Sequence, residues 1–429
     1  MNSNPVRISL PCGNETLELE LPAPNLIKVA SPTDVSPRAD CDTLVREALR
    51  LPAGAGPLAT CIQQGQKLLI LVDDNTRPTP VAEVLPPLLA ELEVERKRVE
   101  VTILIALGTH RAMTHEEIVA KLGPGIVARY PVVNHDWASP DLVNLGTTPN
   151  GTPISVNRLI VDTDVCIGVG NIVPHNIAGW SGGGKIVQPG ICGRDTTNAT
   201  HLLAARCPSS NLGKVMNPVR AEIEAVAKRT RMRHVVNTIL DRHGRVVDVV
   251  AGETQAAYLQ GVELARRVWE IPIPRLADIV LVSSHPADID FWQANKGLYT
   301  AERIVKRGGD IILVTPCPEG ISSQSEHVAA IAALRGLPSR ELYHASLRLG
   351  VDDYAALALS DACARCTELA WVTVVSRGLT AEQVGILGLE PADSVEAALA
   401  RAWRRQGADA SIVVLTHGGE SLPVIAPAP

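Results

Sequence analysis

The sequence predicts an α/β protein made of two α/β domains with mostly parallel sheets, and three observations support this class. The chain has 429 residues, which is more than one hydrophobic core usually organises. Apolar runs of strand length alternate with helical segments almost throughout. Aromatic residues total 3%, with a single phenylalanine, so the core must be aliphatic. Branched aliphatic side chains suit strands that are buried on both faces, as in parallel sheets.

The first half of the chain is predicted to alternate between strands and helices. The strand at residues 68–72 ends at two aspartates and leads into a helix at about 81–98. A long helix at about 254–270 closes this half. The other strands are predicted at 101–107, 165–169, 235–240 and 246–250.

Two prolines within residues 271–275 are expected to break regular structure and to mark a joint between domains. The predicted domains are therefore residues 1–270, which carry a glycine-rich loop, and residues 271–429. In an alternative arrangement, the last helix or strand packs back on the first domain. In the second domain, a helix is predicted near 301–307 and strands at 278–283, 310–314, 371–375 and 411–415.

Charge and composition narrow the classes of function. A net charge of −6 and an isoelectric point near 6.0 argue against a nucleic-acid partner, which normally selects a basic surface. No apolar run has the length of a membrane span, and the first residues do not resemble a secretory signal. Nine cysteines form no disulfide pattern. We therefore expect a cytoplasmic protein that binds neither nucleic acid nor membrane.

The string DDNTRP at residues 73–78 directly follows the first predicted strand. In open α/β sheets, ligands bind beyond the carboxyl ends of strands, where loops lead into helices. There Arg77, held by a turn, could clamp a carboxylate with paired N–H donors. Alternatively, the string starts a helix, with Asp74 or Thr76 as its cap and Pro78 in its first turn.

The string LGTHR at residues 107–111 ends another predicted strand and places His110 beyond it. The imidazole side chain has an unperturbed pKa suited to proton transfer near neutral pH. Thr114 and Glu117 then form a capping box that starts a helix, so His115 is expected on the surface of its first turn. A histidine after a strand is more often structural than catalytic, and His110 therefore needs support from other motifs.

The segment NIVPHNIAGWSGGGK at residues 171–185 carries His175 and ends in Lys185. Three consecutive glycines allow close approach of the backbone to a neighbour, and their N–H groups can bind an anion. The GxxxxGK spacing also fits a nucleotide-binding phosphate loop, but Ile186 stands where that motif has serine or threonine. His201 follows after a predicted turn at residues 195–198.

The string WQANK at residues 292–296 follows a strand of the predicted second domain. One interpretation is a helix start capped by Asp288 or Asp290, with the tryptophan packed against a neighbour. The other is a set of side chains that face a ligand from one helical turn. These side chains are Trp292, Gln293 and Lys296.

Together, these segments resemble the nickel-dependent lactate racemase family and its relatives that act on other 2-hydroxy acids. The shared strings are DNTRP, GTHR, SGGGK and the Gln-x-x-Lys of WQANK, with the histidines at positions 175 and 201 among them. Each string is weak alone, whereas their joint occurrence in the family's order between residues 73 and 296 is specific. The resemblance implies two α/β domains with the active site in the cleft between them.

The resemblance also implies a nickel-pincer nucleotide, held through a thioamide bond to Lys185. His201 would be the protein's nickel ligand, a role for which imidazole is suited. Enzymes that synthesise and attach the cofactor would be partners, and protein made without them would lack it. The residues expected to contact the cofactor are Lys185, Asp74, Thr76, Ser181, Gly182, Gly183 and Gly184.

The implied reaction is the racemisation or epimerisation of a 2-hydroxy acid substrate. The C–H bond to be broken is barely acidic, so hydrogen leaves more easily as hydride, which the cofactor would accept while a 2-keto acid forms. Two bases would serve the two enantiomers, and His110 and His175 match these positions. Arg77, Lys296 and Gln293 would hold the carboxylate and polarise the reacting oxygen, with Trp292 close to the substrate.

Two departures from the lactate enzyme put its substrate in doubt. Trp292 stands where tyrosine is expected, and Pro286 lies where a tryptophan near the substrate is expected. Lactate, a larger 2-hydroxy acid and a sugar acid stay open, as does the oligomeric state, with a homodimer among the alternatives. Two other classes also stay open: a nucleotide-binding phosphotransferase or hydrolase using residues 182–185, and a non-catalytic small-molecule binding protein.

Overall fold

Strands and helices alternate along the chain, of which the computed structural model describes residues 5–207 and 209–426. Contacts divide it into two units. The central unit comprises residues 33–204 and 213–268. The terminal unit comprises residues 5–32, the described part of 205–212, and 269–426. Within the described residues, none of the helices has both the length and the apolar character needed to cross a membrane.

The strands and helices are numbered here in chain order. The strands are β1 (Pro5–Cys12), β2 (Glu15–Pro22), β3 (Leu26–Ala30), β4 (Lys67–Asp73), β5 (Glu100–Ala106), β6 (Val132–Asn134), β7 (Val143–Thr147), β8 (Pro153–Val156), β9 (Val165–Asn171), β10 (Pro174–His175), β11 (Gly179–Trp180), β12 (Met232–Leu240), β13 (Val246–Glu253), β14 (Glu270–Ile273), β15 (Ala277–Ser283), β16 (Val305–Val314), β17 (Trp371–Val375), β18 (Glu390–Ala392), β19 (Ile412–Leu415) and β20 (Leu422–Ile425). The helices are α1 (Cys41–Arg50), α2 (Val81–Glu91), α3 (His115–Leu122), α4 (Pro124–Arg129), α5 (Leu159–Asp162), α6 (Arg194–Ala205), α7 (Pro218–Lys228), α8 (Thr254–Trp269), α9 (Phe291–Ala294), α10 (Lys296–Ala301), α11 (Ser325–Ala333), α12 (Ser339–Leu349), α13 (Tyr354–Leu369), α14 (Ala381–Ile386) and α15 (Val395–Gln406). Short 3-10 turns lie at Ala23–Asn25, Leu58–Cys61 and Gly183–Ile186.

The central unit is built on a six-stranded sheet in the order β13-β12-β9-β4-β5-β6. Its strands pair in parallel except β13, which is antiparallel to β12 because a short turn joins the two. Successive side chains of β4 alternate between two cores: Leu68 and Ile70 belong to one and Leu69 and Leu71 to the other. Both faces of the sheet are therefore covered, as the aliphatic composition predicts.

The terminal unit contains a second six-stranded sheet in the order β18-β17-β16-β15-β19-β3, and every pairing in it is parallel. The predicted α/β class with mostly parallel sheets is thereby confirmed. Strand β3 pairs with β19, and β1 and β2 form a hairpin whose apolar side chains join the same core. Residues 5–32 thus fold with the second half of the chain and not with residues 33–204 and 213–268, so the predicted first domain of residues 1–270 is wrong at its start.

Two predicted helices are wrong in their bounds. The helix predicted at about 81–98 ends at Glu91, because Glu93 adopts a φ of 56° and Arg98 a φ of 50°, which are not helical values. The helix predicted near 301–307 ends at Ala301, because Val305 starts β16 and pairs with the neighbouring strand.

Two predicted irregular segments are regular in the structure. Residues 271–275 are predicted to break regular structure, but most of them belong to β14, which pairs with β20 in a two-stranded sheet of the described residues. Prolines are tolerated in such edge strands because the missing N–H need not bond. The turn predicted at residues 195–198 lies inside α6, so His201 stands on a helix.

Candidate active site

Asp74, His110 and His175 of the central unit follow the carboxyl ends of three adjacent strands, in the order β9-β4-β5. Asp74 follows β4, and His110 stands four residues beyond Ala106, the last residue of β5. His175 belongs to the short hairpin β10–β11 that follows β9. Neighbouring parallel strands are about 5 Å apart, so loops that leave them on one edge form a common surface.

His110 and Asp74 are in direct polar contact. The distance from Nδ1 of His110 to Oδ2 of Asp74 is 2.6 Å, and Oδ1 of Asp74 accepts hydrogen bonds from the Thr76 backbone N–H (3.1 Å) and hydroxyl (2.6 Å). Burial would raise the pKa of Asp74, but the charge and hydrogen bond of His110, together with Arg77 and Thr76, hold it below its ordinary value. Asp74 therefore stays ionised and orients the imidazole.

The carboxylate determines which nitrogen of His110 is basic. Because an ionised Asp74 only accepts, Nδ1 of His110 carries the hydrogen that it donates. The lone pair of the neutral ring then lies on Nε2. This is the arrangement of a general base whose tautomer is fixed by a carboxylate.

His175 has the opposite tautomer. Its Nδ1 accepts hydrogen bonds from the backbone N–H groups of Ile177 (3.2 Å) and Ala178 (3.3 Å). The neutral ring must therefore carry its hydrogen on Nε2. Nε2 of His175 can therefore donate a hydrogen bond, whereas Nε2 of His110 can accept one.

The turn that carries Arg77 is tied to the rest of the central unit. Lys121 donates to the Arg77 carbonyl oxygen at 2.6 Å and forms an ion pair with Asp73 at 3.2 Å. NH1 of Arg77 donates to the carbonyl oxygen and hydroxyl of Thr76, both at 3.2 Å. The alternative of a helix capped by Asp74 or Thr76 is wrong, because α2 begins only at Val81 and has no side-chain cap.

The glycine loop is explained largely by its own packing. The hydroxyl of Ser181 donates to the carbonyl oxygen of Asn171 at 2.8 Å, and the N–H of Gly183 donates to Oδ1 of Asn237 at 3.0 Å. A Cβ on Gly182 would meet Ile172 at 2.6 Å, and one on Gly183 would meet the Tyr258 side chain at 3.0 Å; both glycines have positive φ. The run of glycines is needed for this fit before any ligand is considered.

The loop does not have the geometry of a nucleotide-binding phosphate loop. In that motif the glycine-rich turn leads directly into an α-helix whose N-terminus faces the phosphates. Here Gly183–Ile186 forms a single 3-10 turn, and α6 begins only at Arg194. The nucleotide-hydrolase alternative loses its structural basis.

Lys185 ends the loop with an amine in an unusual electrostatic setting. Among the described residues, none forms a hydrogen bond or an ion pair with the Lys185 side chain. Charged groups act on its amine only over longer distances. Burial and, after it, the cations Arg77 and Arg220 lower the pKa of Lys185 to about 7, against the opposing charges of Asp74 and Asp73. A substantial fraction of the amine is therefore uncharged and nucleophilic near neutral pH.

His201 lies on α6 with a defined tautomer. Its Nδ1 lies 2.9 Å from the carbonyl oxygen of Thr197, to which it donates, so the lone pair is on Nε2. A metal-binding histidine usually has its second ring nitrogen held in this way. Within the described residues, no cluster of three or more His, Cys, Asp or Glu side chains could hold a metal ion.

In the terminal unit, residues 290–296 start with a capped helical turn, as one interpretation predicts. Asp290 caps α9 by accepting from the Gln293 N–H at 2.9 Å, and Nζ of Lys296 donates to Oε1 of Gln293 at 2.8 Å. The Trp292 ring stacks on His327 with centroids 4.2 Å apart and planes at 18°. Nδ1 of His327 is bonded to the carboxylate of Asp353, and both side chains are buried.

The structure brings Asp74, Thr76, His110 and Arg77 into one network and gives Lys185 the electrostatic influence of that network. The hydroxyls of Thr76 and Ser181 bond to protein groups; their predicted cofactor contacts stay predictions. The capping box of Thr114 and Glu117 is confirmed, and His115 is exposed. Sequence reasoning did not find the supporting residues, whose local patterns carry no functional sign. These are Lys121, Arg220, Asn237, His327 and Asp353.

Comparison with known proteins identifies relatives over nearly the whole chain. Residues 12–213 match the lactate racemase N-terminal domain and residues 274–422 the lactate racemase C-terminal domain. The chain is 31% identical to the lactate racemase of Thermoanaerobacterium thermosaccharolyticum over 320 residues, which is 73% of this chain and 75% of that protein. It is 27% identical to the lactate racemase of Lactiplantibacillus plantarum over 381 residues, 87% of this chain and 89% of that one.

Solved structures agree with these sequence matches. The lactate racemase apoprotein from T. thermosaccharolyticum superposes with a TM-score of 0.86 at 27% identity, covering 98% of this chain and all of that one. A Thermotoga maritima protein shares the fold alone, with a TM-score of 0.73 at 22% identity over 92% of this chain and all of that one.

Fold and relatives together define an α/β isomerase built from two units. Both halves of the chain carry the corresponding domain of one family, and more than two thirds of a relative above 30% identity is matched. The chain belongs to the lactate racemase family.

Proposed function

We propose that this protein interconverts the enantiomers of a 2-hydroxy acid through a 2-keto acid, with lactate as the first candidate substrate. The observation that carries the proposal is the opposite tautomers of its two histidines. His110 has a carboxylate on Nδ1, and His175 has two backbone N–H donors on Nδ1. The relatives in T. thermosaccharolyticum and L. plantarum are lactate racemases, which supports the same reaction class.

In this proposal, Nε2 of His110 removes the hydroxyl proton of one enantiomer. The positive charge that develops on the ring is balanced by Asp74, 2.6 Å away. His175 donates a hydrogen bond from its Nε2–H to the reacting oxygen, and the proton held by His110 returns to that oxygen when the opposite enantiomer forms. Both histidines then have their starting protonation states, and no proton is gained or lost over the cycle.

The substrate carboxylate needs a cation that is held in place. Arg77 is the candidate in the central unit, because its turn is fixed by Lys121 and Thr76. Lys296, Gln293 and Trp292 of the terminal unit are proposed as further substrate contacts on the strength of the family resemblance. Lys296 and Gln293 are hydrogen-bonded to each other, which would restrict the position of the amine.

We propose a nickel-pincer nucleotide as the cofactor, and two features of the central unit fit it. The Lys185 amine has a pKa of about 7 and suits covalent attachment, and the His201 tautomer leaves an Nε2 lone pair for one metal bond. When bound, this group supplies the acceptor and donor of the hydride. Enzymes that build and attach it would be obligatory partners of the protein.

The proposal is tested on protein co-expressed with pincer-synthesis enzymes. Each enantiomer of lactate and of a panel of chiral 2-hydroxy acids is incubated separately and analysed by chiral chromatography. Wild type should convert either enantiomer of at least one acid to the racemate, and His110→Ala and His175→Ala should not. A loaded wild type that interconverts none of the acids would overturn the proposal.

Attachment is tested separately by intact-protein mass and nickel content. Wild type should carry a nickel-bearing mass adduct that is absent from Lys185→Ala. If wild type has neither adduct nor nickel while a control racemase from the same host is loaded, the cofactor assignment is wrong.

A further inference from the structure

Arg220 is a buried cation beneath the glycine loop that no motif in the sequence indicates. Its side chain is 2% exposed, and it lies on α7. NH1 donates to the carbonyl oxygen of Gly182 at 3.2 Å, and NH2 donates to that of Trp180. The guanidinium thus contacts the backbone on both sides of Ser181, immediately before the residues that lead to Lys185.

Two more groups fix the guanidinium itself. NH1 is 3.2 Å from Oε1 of Glu224, one helical turn further along α7. Cζ lies 4.1 Å from the centre of the Tyr258 ring, and the Cβ of the same tyrosine is the atom that a Cβ on Gly183 would meet at 3.0 Å. A buried arginine is costly unless its donors and its charge are satisfied. Here much of that compensation comes from the loop carbonyls, so the loop and Arg220 depend on each other.

We propose that Arg220 is a positioning residue for the Lys185 loop: it holds the carbonyl groups of Trp180 and Gly182 and thereby presents the Lys185 amine for covalent modification. The inference rests on the attachment role proposed above for Lys185. It adds a residue of α7 to that site and gives a buried charge a specific task.

The charge of Arg220 acts in the same direction as its hydrogen bonds. After burial and Arg77, Arg220 is the next contribution that lowers the pKa of Lys185. The groups that face this amine are Arg77, Asp73 and Asp74 from the end of β4 and Arg220 from α7, with Glu224 beside Gly184. A second cation fixed near the amine favours its neutral form, which is the form that reacts.

The test measures the reactivity of Lys185 in the full-length protein without cofactor. Brief acetic anhydride pulses between pH 6 and 10 acetylate neutral amines, which displace acetate and lose a proton to solvent. Peptide mass spectrometry then gives the rate for Lys185 against exposed Lys228 as an internal reference. Arg220→Met should slow Lys185 labelling at pH 7 by about threefold to tenfold, as a rise of up to one pKa unit would.

Matched variants separate charge from geometry. Arg220→Lys keeps the charge but loses the paired donors, so labelling at pH 7 should be largely restored. Hydrogen exchange in a peptide covering residues 180–186 should be faster than in wild type in both Arg220→Met and Arg220→Lys, because both variants lose the paired donors to the loop carbonyls. Arg229→Met, at the end of α7, is the control. This arginine donates to the carbonyl oxygen of Leu145, away from the loop, so its loss should change neither Lys185 labelling nor hydrogen exchange of residues 180–186.

Arg220→Met leaves Glu224 without its partner, so the double variant Arg220→Met with Glu224→Gln guards against misfolding. Unchanged Lys185 labelling and unchanged exchange of residues 180–186 in a folded variant would overturn the inference. That outcome is independent of the proposed function, whose failure would appear instead as wild-type protein without an adduct.

Discussion

Oδ2 of Asp74 and Nδ1 of His110 are 2.6 Å apart, and the second carboxylate oxygen of Asp74 is held by Thr76. Both oxygens of the carboxylate are therefore engaged, and the orientation of the imidazole is determined by a buried acid at the end of the neighbouring strand. This link joins two motifs that lie more than thirty residues apart in the sequence. It makes Asp74 a positioning residue for proton transfer, and the first prediction follows from it.

Asp74→Asn should lower kcat for racemisation by about 10²- to 10⁴-fold. An amide can donate to Nδ1 and would then favour the tautomer with its hydrogen on Nε2, where the base needs a lone pair. The measurement is the pH–rate profile of the loaded enzyme. Asp164→Asn, which removes a carboxylate that accepts from the Lys67 N–H at the opposite edge of the same sheet, is the control and should leave kcat within about threefold. Equal effects of both variants would argue against a specific role for Asp74.

His201→Ala should reduce nickel per chain by more than about tenfold, because one metal bond and its oriented imidazole are lost. The measurement is elemental analysis beside intact mass on protein loaded in the cell. The organic part of the adduct on Lys185 should remain, since its attachment does not use His201. His115→Ala changes an exposed histidine on α3 and should keep wild-type nickel. Nickel retained at the wild-type level in His201→Ala would show that His201 is not the nickel ligand.

Trp292→Tyr should shift the ratio of kcat/KM between larger 2-hydroxy acids and lactate by about tenfold in favour of the larger acids. The smaller ring frees space and adds a hydroxyl donor, while the stack on His327 can be kept. Trp371→Tyr, at an exposed position of β17, is the matched control. A ratio that is unchanged by Trp292→Tyr across the acid panel would show that this tryptophan does not face the substrate.

Lys185→Met should stabilise the protein without cofactor, and the gain should depend on pH. The pKa of Lys185 is about 7 in the folded protein against an ordinary 10.5. Between these values the unfolded chain binds more protons, so wild-type stability rises with pH across this window. The stability gap between variant and wild type should be largest below pH 7 and shrink toward pH 10.5. Urea unfolding at pH 6, 8 and 9.5 measures it, with exposed Lys228→Met as the control; a gap that does not vary with pH would contradict the lowered pKa.

Much of the fold follows from local pattern. The strand at residues 68–72 is continuous in apolar residues because both faces of β4 are covered, and the capping box at Thr114 is a local signal that α3 obeys. The location of Asp74 and His110 beyond the carboxyl ends of two predicted strands also made them candidates for one site. These features depend on neighbours in sequence or on a general rule of parallel sheets.

The remainder depends on pairings between distant segments. β3 joins the sheet of the second half of the chain because it pairs with β19. Nothing in the sequence of residues 26–30 predicts this pairing. Arg220 occupies a position on α7 that looks like any polar helix residue until the glycine loop folds over it. The tautomers of His110 and His175 likewise follow from partners that only the folded chain supplies.

The central claim is that hydrogen leaves and returns to the same carbon as hydride while His110 and His175 handle only the hydroxyl proton. One enantiomer of lactate, or of the best acid in the panel, is deuterated at C2 and incubated with loaded enzyme in ordinary water. The opposite enantiomer should form with its C2 deuterium retained. Replacement of that deuterium by solvent hydrogen at the rate of racemisation would contradict the account, because it would mean that a base removes the C2 hydrogen as a proton.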